Sequence, residues 1–118
     1  MKYVIDTSDA RLAELIYQGF VIGGSQQEKK PISSIRLEAR LLDKFDTISE
    51  LAEGTYPTGD AIRKFSGEPK EFLVTREELD LIIKYVNSVP WTTRVSREIV
   101  KILDILETAP ERADLRAV

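Results

Sequence analysis

The spacing of apolar positions divides the chain into segments of different period. Residues 2–5 (KYVI) form a short β-prone run. Asp6, Thr7, Ser8 and Asp9 follow, each able to cap a helix start. Leu12, Leu15, Ile16 and Phe20 share one helical face, which predicts a helix over 8–18 closed by Gly19. Residues 20–22 (FVI) read as a second short strand, and 23–31 (GGSQQEKKP) as the most loop-like stretch.

Beyond the loop, Ile35, Leu37, Ala39 and Leu41 alternate with Arg36, Glu38 and Arg40. Period two predicts a half-buried strand over 33–42, paired with 20–22 as a hairpin. A helical reading competes, because Leu37, Leu41, Phe45 and Ile48 also share a face. The strand is favoured because Thr47, Ile48, Ser49 and Glu50 form a capping box that opens a helix over 47–53, ended by Gly54. Residues 55–59 (TYPTG) form a turn, and 60–65 another helical turn or two before Gly67 and Pro69.

The C-terminal part is the clearest. Thr75 to Glu78 make a second capping box, followed by Leu79, Ile82, Val86 and Val89 at helical spacing. Pro90 breaks this helix and Thr92 or Thr93 caps the next, whose stripe is Val95, Ile99, Ile102 and Leu106. Pro110 stops it, leaving 111–118 as a polar tail. The pattern predicts one domain of the α+β class. A small antiparallel sheet and an N-terminal helix pack on a C-terminal antiparallel helix pair.

Composition narrows the function. The 118 residues include no histidine and no cysteine, which removes the commonest neutral-pH general base, thiol chemistry, disulfides and most transition-metal sites. The expectation is a non-enzyme without cofactor or metal. Twenty acidic residues against seventeen basic give a net charge of −3, which argues against duplex nucleic acid as a partner. No apolar run suggests a membrane span or a signal peptide, so a cytoplasmic protein is expected.

The helix joint carries the first candidate site. Trp91, the only tryptophan, stands beside Thr92, Thr93 and Arg94, with Arg97 one turn on. An aromatic plane with two guanidinium groups at a helix start can stack a base and hold phosphates. The competing reading makes Trp91 a core anchor, with Arg94 and Arg97 solvated or paired to Glu98 and Asp104. Lys29 and Lys30 in the 23–31 loop form a second candidate, without Walker or dinucleotide spacing. Arg36, Glu38 and Arg40 offer a polar platform, on a helix joined by Lys44. Glu77, Glu78 and Asp80 suit the start of a helix rather than a metal.

Val100, Leu103 and Ile105 add a second apolar face to the last helix. That surplus predicts a homo-oligomer, with Val95, Ile99, Ile102 and Leu106 as the interface. Three functions are compatible with these features. The first is a non-catalytic adaptor or inhibitor that occupies a partner protein, of the compact acidic kind that viruses and plasmids encode. The second is a binder that sequesters a nucleotide-like anion. The third is a helix-turn-helix regulator, disfavoured by the apolar would-be recognition helix.

Overall fold

Residues 1–112 are described by the computed structural model, and the fold is α+β with antiparallel sheets. The predicted first strand is β1 (Lys2–Asp6), and Asp9 caps the helix after it by accepting from the amides of Arg11 and Leu12. That helix, α1 (Ala10–Ser25), runs well past the expected end at 18. Residues 20–22 are helical, not a strand, and Gly19 lies inside the helix instead of capping it. Phe20 and Val21 are buried, and burial outweighs the weak helix propensity of three glycines.

The glycines have a packing reason. A Cβ on Gly23 would stand 2.0 Å from the backbone oxygen of Tyr85. A Cβ on Gly19 would stand 2.9 Å from the Trp91 ring. Gly19 and Gly23 are one turn apart on α1, so both turn toward α3 (Arg76–Ser88) and its C-terminal end. No other residue type fits that approach.

The largest correction concerns 32–65. The expected 33–42 strand and its hairpin do not form; α2 (Ile32–Thr47) is a continuous helix. The competing face was the right one, since Leu41 and Phe45 are buried and Leu37 and Ile48 pack against the same core. The expected helix over 47–53 is instead β2 (Ser49–Thr55), and the helical turns over 60–65 are β3 (Ala61–Phe65). The Thr47 hydroxyl donates to the carbonyl of Lys44 and the Ser49 hydroxyl to that of Phe45, both at 2.6 Å. Those hydroxyls close α2 rather than opening a new helix. The expected turn joins the new hairpin: the Gly59 amide donates to Tyr56 O at 2.8 Å, with Gly59 at φ +92°.

The main sheet has the order β4-β1-β5, with β4 (Glu71–Val74) and β5 (Glu111–Arg112) both antiparallel to β1. Arg112 also pairs with Glu71, tying the two flanking strands across β1. The predicted polar tail thus begins with a strand; the rest of it, 113–118, lies outside the described residues. Ile5 stands opposite Phe72, so both face the helices. Phe72 stacks on Phe45 of α2 with centroids 4.8 Å apart, and Phe45 meets Tyr17 edge-on at 5.3 Å and Phe20 at 5.6 Å. Phe65 of β3 meets Tyr17 at 5.8 Å, which brings the hairpin onto the same aromatic cluster.

The capping box at α3 forms as expected: Thr75 accepts from the Glu78 amide and Glu78 Oε1 from the Thr75 amide. Glu78 is fully buried, and the same oxygen accepts from Lys44 Nζ of α2 at 2.7 Å. Burial pushes its pKa up, but the bonds from Lys44 and Thr75 outweigh that and hold it below the ordinary value of 4.5. The last helix, α4 (Ser96–Glu107), follows a short 3-10 turn, Thr93–Val95. Neither Thr92 nor Thr93 caps α4; its N-cap is Val95, with no side-chain bond.

Replacing Gly23 with alanine is expected to cost about 3 kcal/mol, because backbone rather than a movable side chain opposes the new methyl. Gly59→Ala, strained in φ but unopposed, is expected to cost about 1 kcal/mol. Urea denaturation measures both. The Glu78 carboxylate, with a lowered folded pKa, contributes stability that is present above pH 4.5 and fades as pH falls through its folded value. Glu78→Gln should therefore flatten the acid limb of the stability profile. Lys44→Met should cost about 3 kcal/mol at neutral pH by leaving the buried carboxylate without its cation.

Candidate functional site

The structure gathers a cleft of about 340 Å³ beside the helix joint. One wall is a stripe of α1: Arg11, Leu15, Gln18 and Ile22, with Gln26 at its end. The other is Val89, Pro90, Trp91, Thr92 and Val95, and Pro57 of the hairpin turn reaches in from the side. The sequence reading had found Trp91 and Thr92. Ile22 and Gln26, the far part of the α1 wall, lie beyond the helix end expected at 18. Gln18, Ile22 and Gln26 recur every four residues, and that spacing would have placed them on one face had the helix been carried through Gly19.

Trp91 is held from three directions. Its backbone amide donates to Val89 O, and its indole Nε1 donates to Val86 O, each at 2.9 Å. Its ring lies over Gly19, where only a hydrogen leaves room. The indole therefore caps the end of α3 and walls the cleft at once. The anchor reading of Trp91 describes its bonds, and half-burial leaves part of its surface at the cleft.

The cations expected beside it are elsewhere. Thr93, Arg94 and Arg97 are exposed and do not line the cleft. Lys30 lines a different depression with Ser25, Glu38 and Asp60, and its Nζ is 2.9 Å from Glu38 Oε1. It also sits 5.9 Å from the centre of the Tyr85 ring. Lys29 is exposed. The proline-ended loop that was to carry the lysines to an anion is shorter than expected, because α1 runs on through Ser25 and leaves 26–31 between the helices. Arg11 is the cation that does line the cleft, and it lies 3.4 Å from Glu98 and 3.8 Å from Glu14.

The stripe assigned to an oligomer interface is turned inward. Ile102 and Leu106 are fully buried and Ile99 nearly so, all within the chain's own core, and Val95 packs against it. Leu103 and Ile105, the surplus face, also pack on this core, which leaves Val100 exposed. The helix is apolar on two sides because α1, α3 and β1 all contact it.

Buried phenols stay protonated at neutral pH. Burial, reinforced by Glu14, pushes Tyr56 up to about 12, and its hydroxyl has no hydrogen-bond partner among the described residues. Burial and the nearby Glu38 push Tyr85 up to about 12 as well. Among the described residues, no three acidic side chains converge as metal ligands, and no helix is long and apolar enough to cross a membrane.

Comparison with protein-family models, curated proteins and solved structures finds no match. The chemistry of the cleft is therefore argued from its own residues.

Trp91→Phe should cost about 1 kcal/mol, since the ring still covers Gly19 but the bond to Val86 is lost. Trp91→Ala should cost about 3 kcal/mol by opening the end of α3. Thermal unfolding followed by far-UV circular dichroism distinguishes them.

Proposed function

We propose that this chain is a cytosolic, non-catalytic binding protein that acts by occupying a partner protein, with the Trp91 cleft as its docking surface. The carrying observation is the cleft's lining. Ile22, Val89, Pro57, Pro90 and Trp91 make it apolar, and Gln18 and Gln26 add amides. Gln18 is half-buried and Gln26 exposed, and among the described residues neither side-chain amide makes a hydrogen bond. Apolar walls with two amides among them suit an extended peptide segment, whose side chains fill the walls and whose backbone pairs with the amides. The lack of histidine and cysteine, with phenols locked in the protonated form, supports binding over catalysis.

Sequestration of a nucleotide-like anion has less support. Of its proposed cations, Arg94, Arg97 and Lys29 stand outside the cleft and Lys30 is matched by Glu38. Arg11, which was not among them, lines the cleft between two carboxylates. The helix-turn-helix reading needs a reading face on α4, and the exposed part of that helix mixes Arg97 and Lys101 with Asp104 and Glu107.

Native mass spectrometry of the chain purified gently from its own host tests the proposal. A stoichiometric protein is expected to co-purify with the natural chain and to be lost with Ile22→Glu, while circular dichroism stays unchanged. A retained species of a few hundred daltons, removed by Arg94→Glu with Arg97→Glu, would carry the anion reading instead. Partner binding that persists in Ile22→Glu would remove the cleft from consideration.

A further inference from the structure

The surface of α2 carries a second pattern, independent of the cleft. Ile32, Ile35, Ala39 and Leu42 follow each other at intervals of three, four and three residues, and all four are exposed. The relative exposures of the three large ones are 69%, 51% and 37%. These are most of the helical apolar side chains that the core leaves uncovered, and they lie on one side of one helix. The core face of α2, Leu37, Leu41 and Phe45, points about a third of a turn away. The helix is thus amphipathic twice over, with one apolar stripe spent inside the chain and one not.

The charges beside this stripe are ordered along the axis. Arg36 comes early and Asp43 seven residues later, on the same flank. Among the described residues, neither makes an ion pair within the chain, whereas Glu38, Lys44 and Asp46 on the same helix all do. A flank that is basic at one end and acidic at the other is complementary to itself when reversed.

We propose that a second copy of this chain docks antiparallel on this stripe, with a two-fold axis passing at Ala39. That register sets Ala39 against the partner's Ala39, where a small side chain lets the helices come close. It sets Ile35 against the partner's Leu42, and Arg36 against the partner's Asp43, each twice by symmetry. Ile32 falls opposite the partner's Asp46, whose carboxylate is already engaged by Arg63 at 3.3 Å in its own chain. A parallel pairing would carry this flank to opposite sides of the seam in the two copies, so that Arg36 and Asp43 would not meet and their complementarity would go unused. The homo-oligomer expected from the sequence is kept, but on α2 rather than on the α4 stripe, which is buried.

Sedimentation of the full chain, with circular dichroism as the folding control, provides the test. The natural chain is expected to sediment as a dimer. Ala39→Glu, which sets two carboxylates at the axis, should make it a folded monomer. Arg36→Asp should weaken the dimer about tenfold at low salt, two partly exposed ion pairs being exchanged for repulsions. Adding Asp43→Arg to it should restore the affinity. Since the chain has no cysteine, Ala39→Cys supplies a single thiol, and mild oxidation should link two copies through it. A natural chain that stays monomeric at high concentration would overturn the proposal. So would a dimer that survives Ala39→Glu, or charge variants in which the double substitution is no tighter than Arg36→Asp alone.

Discussion

The approach of α1 to α3 at Gly23 is the constraint on which the rest of the molecule depends. Two helix backbones meet where the space for a methyl is already taken by the Tyr85 carbonyl. Such an approach brings Phe20 to within 5.4 Å of the Tyr85 ring, and Gly19 under Trp91. From that pair the core grows outward. Phe20 meets Phe45 and fixes α2; Phe45 stacks on Phe72 and fixes the sheet. Tyr17, one turn before Val21 on α1, receives Phe65 and fixes the hairpin. A close-packed interior transmits a displacement at the helix contact to every layer that rests on it.

Polar ties reinforce the same arrangement at its edges. Glu78 serves its own helix start and α2 together, since one oxygen accepts from both Thr75 and Lys44. A buried carboxylate so placed links the orientation of α2 to the beginning of α3. Arg63 does the corresponding task for the hairpin, donating to Ser49 Oγ at 2.7 Å and meeting Asp46 of α2. Both ties end on α2, whose inner face is held by Phe45 and whose outer stripe stays open.

The two surfaces this leaves differ in chemistry. The cleft beside Trp91 is concave and has amides among its apolar groups, which suits a chain segment. The α2 stripe is convex, apolar and flanked by charges in a reversible order, which suits a like helix. They share no residue, so an occupied cleft and a paired α2 are compatible. A two-fold dimer would then present two clefts, and a partner with two docking segments would gain from their linkage.

Local pattern alone determined β1, the capped start of α3, the apolar stripe of α4, the turn at 55–59 and the mixed α+β class. Each rests on neighbours within a few residues, where capping and periodicity act. The lack of histidine and cysteine was equally a property of the chain by itself. Tertiary structure decided the rest. Residues 35–41 satisfy period two and period 3.6 together, and only the aromatic cluster around Phe45 selects the helix. Gly19 and Gly23 read locally as a stop, yet a neighbouring helix close enough to need them makes them part of the interior. Thr47 and Ser49 could open a helix or close one, and the choice falls to where the chain must go next. The Trp91 cleft needed the tertiary structure, because its walls come from α1, the tip of the hairpin and the joint before α4. A site assembled from segments far apart in sequence has no local signature; it exists only once the core has set their distances.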